Sequence, residues 1–272
     1  MPLGFWGTGV IDLHCHLLPG VDDGATDLET SLEMARIAVE DGVTLIACTP
    51  HQMPGYYENT ASGIRQAVID LQAQLDAAGV ALRLTTGADV HLVPDMAAGL
   101  REGRLMTLAN GRYFLFEPPH NTAPPRLADA VFDTMAAGFH PIITHPERLR
   151  WIEDHYDTMT LLAKSGAWMQ LTAGSITGRF GKRAQYWSER MLDEGLVHLI
   201  ASDAHNLRAR IPKLSSAVEA VAQRLGEQAA QDMVVTRPRA VIENASPSEC
   251  PPAVGRGPAK RGFWSGLFGS RG

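Results

Sequence analysis

The chain has 272 residues, 45% of them hydrophobic and 20% charged, which suits one large globular α/β domain. A formal net charge of −6 argues against a nucleic-acid surface, which needs a basic patch. Three cysteines, Cys15, Cys48 and Cys250, make no even framework and no Cys-x-x-Cys pair, so a reduced, cytoplasmic setting is expected.

No apolar run nears the roughly 18 residues of a membrane span, and residues 1–10 lack the basic and apolar regions of a secretory signal. Ile11-Asp12-Leu13-His14-Cys15-His16 is a short apolar run ending in two histidines. Strand residues two apart share a face, so His14 and His16 can offer two imidazoles to one ion. The turn at 19–24 adds Asp22 and Asp23. Imidazole with carboxylate is a ligand set for Zn²⁺, Mn²⁺ or Fe²⁺. Thr26-Asp27-Leu28-Glu29 reads as a capping box, and Leu28, Leu32, Ala35 and Val39 follow at helical spacing up to Asp41-Gly42. Residues 43–48 form a buried strand that leads into Thr49-Pro50-His51. A helix is expected over 60–78, with Ile64, Val68, Leu71 and Leu75 inward and Gly79 as its stop. Strands follow at 80–85, running into Gly87-Ala88-Asp89, and at 113–116, ending at Glu117. A helix over 126–137 stops at Gly138, and a strand at 141–144 leads to His145-Pro146-Glu147-Arg148. Strands at 167–171 and 197–201 end in Thr172-Ala173-Gly174-Ser175 and Ser202-Asp203-Ala204-His205. From Ala245 onward Pro and Gly crowd the sequence, so the domain (1–244) is expected to close at Asn244 and 245–272 to form a disordered tail.

Seven apolar runs alternating with helical segments imply parallel strands joined by helical crossovers. Six of the seven finish in a potential metal ligand, always at the C-terminal end. In a β/α barrel those ends gather on one face. His14, His16, Asp23, His51, Asp89, Glu117, His145, Asp203 and His205 therefore converge. His140 and His198 read as packed or capped histidines. His91 and His120 lie just past ligand-bearing strand ends and line the rim, and His155 is a solvated loop residue.

These motifs, with Val21-Asp22-Asp23-Gly24-Ala25 and Gln170-Leu171-Thr172-Ala173-Gly174-Ser175-Ile176-Thr177-Gly178-Arg179-Phe180-Gly181, resemble the PHP (polymerase and histidinol phosphatase) superfamily. The nearest resemblance is to its bacterial protein-tyrosine phosphatases of capsule and exopolysaccharide operons. It covers roughly residues 10–244 and implies a distorted (β/α)7 barrel holding three divalent ions. Mn²⁺ leads, with Fe, Co, Zn or Mg as alternatives. One ion would sit among His14, His16, Asp203 and Asp89, a second among Asp89, Glu117 and His145, and a third among Asp23, His51 and His205. Arg148 and Arg210 match phosphate-holding arginines. The family usually has Glu where this chain has Asp89.

Such a site suits a phosphate monoester. Adjacent metals bring a bound water near neutral pKa, so hydroxide becomes available, and they stabilise charge on the phosphoryl oxygens. Arginine adds bidentate donors. The resemblance implies a phosphotyrosine-protein phosphatase acting on a bacterial tyrosine kinase. A histidinol-phosphate type of small-molecule phosphatase and a metal-free assembly factor for polysaccharide export are the other readings. Cys250 and Arg256 fit a Cys-x5-Arg pattern, yet Pro251 and Pro252 remove backbone donors that such a loop needs. Gly262-Phe263-Trp264-Ser265-Gly266-Leu267-Phe268 reads as a loose end or as a docking peptide for a membrane-associated partner.

Overall fold

A computed structural model describes residues 9–256. The strands are β1 (Val10–Cys15), β2 (Val43–Cys48), β3 (His51–Met53), β4 (Tyr57–Glu58), β5 (Arg83–Thr86), β6 (Asp89–His91), β7 (Tyr113–Glu117), β8 (His140–Thr144), β9 (Trp168–Thr172) and β10 (Leu199–Ala201). They form a mixed α/β fold with two sheets, ordered β1-β2-β5 and β10-β9-β8-β7-β6-β3-β4. All pairings are parallel except the β3–β4 hairpin. Thr49-Pro50 separates β2 from β3, and Gly87-Ala88 separates β5 from β6. Each of these pairs is one extended run whose halves lie in different sheets. At the other side β1 meets the segment after β10 through a parallel bridge between Cys15 and Ala204.

Side-chain alternation sorts the strands into two faces. Ile11, Leu13, Tyr113, Leu115, Ile142, Trp168 and Leu199 pack into one cluster. Phe114, Phe116, Ile143, Met169, Leu171 and Ile200 belong to the larger core shared with the helices. Burial on both faces explains why these strands read as continuous apolar runs. Two residues beyond Leu115 and Trp168 come Glu117 and Gln170, so the first cluster is capped at its C-terminal end by polar groups.

The first helix, Leu28–Glu40, is capped by Asp27 rather than by Thr26: Asp27 Oδ1 accepts from Thr30 N at 2.8 Å. The helix Ala61–Ala77 has Thr60 as its cap and buries Ile64, Val68, Leu71 and Leu75 as expected. Met96–Arg101, Leu127–Ala136, Tyr156–Lys164 and Lys182–Asp193 supply further crossovers, and Ser215–Leu225 follows the last strand.

The expected boundary at Asn244 is corrected. Arg237 is fully buried and donates to the carbonyls of Pro251 (2.9 Å), His198 (2.9 Å) and Pro252 (2.6 Å). Tyr113 Oη donates to Ala245 O at 2.9 Å, and Arg256 N to Asp193 O at 2.9 Å. Residues 245–256 are thus tied to the domain by three backbone carbonyls, which a Pro-rich segment still offers, and by the Arg256 N–H. The apolar motif at 262–268 lies outside the described residues.

Candidate metal centre

His14 and His16 leave β1 with their Nε2 atoms 3.2 Å apart, both rings fully buried. A register shift between Asp12 and Cys15 re-aims this strand end toward the site. Asp89 Oδ2 and Asp203 Oδ1 each lie 3.4 Å from His14 Nε2, and Asp203 Oδ1 lies 3.5 Å from His16 Nε2. The opposite ring nitrogens are held from behind. Gln170 Oε1 accepts from His14 Nδ1 at 2.8 Å, and Asp22 Oδ2 accepts from His16 Nδ1 at 2.7 Å. These partners place the N–H on Nδ1 and turn the Nε2 lone pair inward, as metal ligation requires. Gly24 makes room for this turn, since a Cβ there would sit 2.3 Å from His16 O.

Beside this pair, Asp23 Oδ1 lies 3.3 Å from His51 Nε2 and 3.4 Å from His205 Nε2. The His205 ring is fixed through Nδ1 by the Asp203 carbonyl at 3.0 Å. At the far end, Glu117 Oε1 lies 3.1 Å from His120 Nε2 and 3.5 Å from His145 Nε2, while Oε2 lies 3.3 Å from His51 Nδ1 and touches His91 Nε2. His145 and Asp203 have φ of 35° and 50°, left-handed conformations that cost energy at non-glycine residues.

Burial would raise Glu117, yet the imidazoles of His120, His51 and His91 pull its carboxyl well below the ordinary range. Asp203 is lowered in the same sense against its burial, by His14 and Arg210. Asp89 goes the other way, pushed up by burial and by the neighbouring Glu117. Burial and His205 bring His16 down to about 3, whereas Asp89 and Asp203 outweigh burial and lift His14 to about 9.

Both oxygens of Asp89, Oδ1 of Asp203, Oε2 of Glu117 and Nε2 of His205 are buried without a hydrogen-bond partner. A buried charge left uncompensated costs several kcal/mol. Cations would remove that cost, and the donor chemistry fits divalent ions. Ligand atoms of His16, Asp23, His51 and His205 lie within 4.8 Å of one another, as do those of His14, His16 and Asp89.

A family model for capsular polysaccharide synthesis proteins, CpsB/CapC, matches residues 10–243. The chain belongs to the CpsB/CapC family. Tyrosine-protein phosphatase YwqE of Bacillus subtilis (strain 168) is 36% identical over 201 residues, spanning 74% of this chain and 79% of the relative. Tyrosine-protein phosphatase CpsB of Streptococcus agalactiae serotype V is 27% identical over 244 residues, spanning 86% and 99%. The crystal structures of YwqE from B. subtilis and CpsB from Streptococcus pneumoniae, described as unique metal-dependent tyrosine phosphatases, provide a match with a TM-score of 0.83. That match has 33% identity and covers 87% of this chain and 95% of the other.

In this CpsB/CapC chain two arginines stand over the cluster. Arg148 Nη1 and Arg210 Nη2 both donate to Asp203 Oδ2, the latter at 2.6 Å, and Arg148 Cζ lies 5.2 Å from the centroid of Phe180. Beyond Phe180 a pocket of about 360 Å³ is lined by Arg179, Arg210 and Lys213 and by no carboxylate. The flank of the site is therefore cationic.

The structure brings together all nine of the expected ligand residues. It also draws His91 and His120 off the rim and onto Glu117. Their spacing, two residues past Asp89 and three past Glu117, is the signal that would have found them. His140 and His198 are packed: His198 stacks on Trp168 at 5.3 Å, and His140 meets Tyr113 and Trp168 edge-on. His155 is exposed. Gln170, Asp22 and Asp12 are orienting groups that no spacing in the sequence signals. Asp12 Oδ1 accepts from His14 N and Ser202 N, fastening the ends of β1 and β10 together. The Cys250 segment offers no phosphate loop: residues 251–256 form no helix, and burial pushes the thiol up rather than down.

Proposed function

We propose that the chain is a metal-dependent tyrosine-protein phosphatase that hydrolyses phosphotyrosine on a protein, a bacterial tyrosine kinase of polysaccharide synthesis being the expected substrate. The observation that carries this reading is the pairing of a buried imidazole–carboxylate cluster with two guanidinium groups at its edge. His14, His16, Asp89 and Asp203 would hold one ion, Asp23, His51 and His205 another, and Glu117 and His145 a third shared with Asp89. When bound, divalent ions here supply Lewis acidity to the attacking water and to the phosphoryl oxygens, and Mn²⁺ fits the mixed nitrogen and oxygen donors.

The chain's own groups do the rest. Arg148 and Arg210 brace Asp203 through Oδ2 and keep further N–H donors for the phosphoryl oxygens, since each guanidinium carries five. Arg179 and Lys213 extend that positive flank toward the body of an anionic substrate. Attack by water requires no nucleophilic side chain, in keeping with the burial of Cys15 and Cys48 and their raised thiol pKa values. The Cys15–Ala204 bridge supports reading the strands as one distorted seven-stranded barrel with this site at its C-terminal mouth. Among the described residues no helix is long and apolar enough to cross a membrane, and a cytoplasmic setting is the proposal consistent with that.

A panel of phosphoesters assayed with Mn²⁺-loaded protein tests the reading. A phosphotyrosine peptide should be turned over with kcat/KM at least about tenfold above histidinol phosphate. The reverse order would make the chain a small-molecule phosphomonoesterase. Metal-replete protein without activity on any ester would overturn both.

A further inference from the structure

The Glu117 carboxylate is crowded in a way that the ligand set above does not use. Four imidazoles surround it: His120 and His145 on Oε1, His51 and His91 on Oε2. His91 Nε2 also faces His51 Nδ1 at 3.3 Å. With its Nε2 turned to Asp23, His51 keeps its ring proton on Nδ1 and can donate it to only one of the two lone-pair atoms there, His91 Nε2 and Glu117 Oε2. One divalent ion held by His91 Nε2 and Glu117 satisfies both. The ligand atoms of His51, His91 and Glu117 lie within 4.8 Å of one another, and so do those of Glu117, His120 and His145. These are the spacings of groups that could share an ion.

We propose that His91 and His120 are metal ligands at the Glu117 end of the site, which makes that end imidazole-rich and selective for a borderline ion such as Zn²⁺ or Co²⁺ over Mn²⁺. This rests on the reading that Glu117 and His145 hold a metal. The physical reason is ligand softness. Nitrogen donors favour Zn²⁺ and Co²⁺ over Mn²⁺, whereas carboxylate oxygens suit Mn²⁺ and Mg²⁺. The end built from Asp23, Asp89 and Asp203 carries more oxygen donors. The two ends of one cluster would thus differ in preferred metal. His91 and His120 are only partly buried, their side chains 16% and 32% exposed, so they can be replaced with little disturbance of the core.

The competing role for these two rings is hydrogen bonding to Glu117 from outside the coordination sphere, which by itself costs about 10- to 100-fold in affinity when removed. Affinity alone therefore does not separate the two roles, but metal preference and the visible spectrum of bound Co²⁺ do. Full-length protein and the variants His91→Gln, His120→Gln, the double variant and His145→Gln are dialysed against equal Zn²⁺ and Mn²⁺, and the bound metals are counted. Circular dichroism checks the fold, and the single variants stand in if the double variant does not fold.

The double variant should lose the Zn²⁺ equivalent or fill it with Mn²⁺, a shift in preference of tenfold or more, and the Co²⁺ bands should move. Wild-type zinc content and unmoved Co²⁺ bands in the double variant, with an equivalent lost in His145→Gln, would overturn this inference and leave the metal centre intact. Wild-type metal content in His145→Gln as well would overturn the reading on which it rests.

Discussion

Gln170 Oε1 lies 2.8 Å from His14 Nδ1, and this contact is how β9 enters the site without ending in a ligand of its own. Gln170 is fully buried two residues beyond Trp168, on the same face of β9. Replacing it with Leu removes the acceptor that fixes the His14 tautomer. Metal affinity should fall about 10- to 100-fold in Gln170→Leu, with the fold retained. Asp22→Asn should act in the same direction through His16. Titration against a chelating indicator measures both, and wild-type affinity in either variant would make that contact incidental.

Arg148 and Arg210 share one oxygen of Asp203, so each is a phosphate donor and a brace. Removing one leaves the other holding Asp203. Arg148→Ala and Arg210→Ala should each lower kcat/KM by about tenfold or more with metal content unchanged. The double variant should lose metal as well, because Asp203 Oδ2 then has no donor. Near-normal turnover in both single variants would remove the arginines from the chemistry.

Arg237 ties residues 251–252 to the domain. Ending the chain after Ala245 would strip two of its three acceptors and leave a buried guanidinium short of partners. A cost of about 3 to 5 kcal/mol follows, which lowers Tm by roughly 10 °C in a domain of this size. Ending the chain after Arg256 should leave Tm unchanged. Thermal melts of the two truncations decide it, and equal melting would make the segment a passive cover.

The strand ends were legible because the ligand positions close short apolar runs, as in Leu115-Phe116-Glu117 and Leu199-Ile200-Ala201. The orienting groups were not, because their role depends on which strand lies alongside. Gln170 is an amide inside an apolar run and gains meaning only when β9 lies beside β8 and β10 with β1 across from it. His91 and His120 follow ligands closely in sequence, but their approach to one carboxylate depends on how β6 pairs with β7. The tail misled for a different reason. Proline-rich composition predicts few backbone donors, which says nothing about carbonyls serving as acceptors for a buried arginine.

His140 sits at the N-terminal start of β8, in contact with Tyr113 and Trp168 and at the opposite end of the strand from His145. Burial and the nearby Arg112 bring it down to about 4. An unfolded histidine titrates near 6.5, so between pH 6.5 and 4 the unfolded chain binds the extra proton. Stability should therefore fall as pH drops through that window, by at most about 1.4 kcal/mol per pH unit from this group. His140→Gln cannot titrate and should become more stable relative to wild type as the pH falls from 7 to 4.5. Urea midpoints at fixed metal content give the difference, in which metal-linked effects cancel. A difference that stays flat with pH would mean that His140 is protonated at no cost.

Asp89 is the most exacting test of the metal centre. Aspartate is one methylene shorter than glutamate, retracting the carboxylate by roughly a C–C bond length. A solvent-facing Asp89 would have made that harmless. It is instead fully buried on β6, with neither oxygen hydrogen-bonded and Oδ2 facing His14, His51 and His145 at 3.4, 3.7 and 3.9 Å. A carboxylate so placed, with only the His14 ring as a counter-charge, is stabilised further by metal cations. Asp89→Asn keeps the shape and removes the charge, so the size of its effect should depend on metal. With metal bound, wild type should melt above Asp89→Asn, and the variant should hold at least one equivalent less. After exhaustive chelation the gap should narrow, because Asp89 is then opposed only by the His14 imidazolium and is itself pushed toward its neutral form. Melting curves for both proteins, with and without chelator and paired with elemental analysis, provide the measurement. Equal metal content and a Tm gap unchanged by chelation would show that Asp89 is not a ligand.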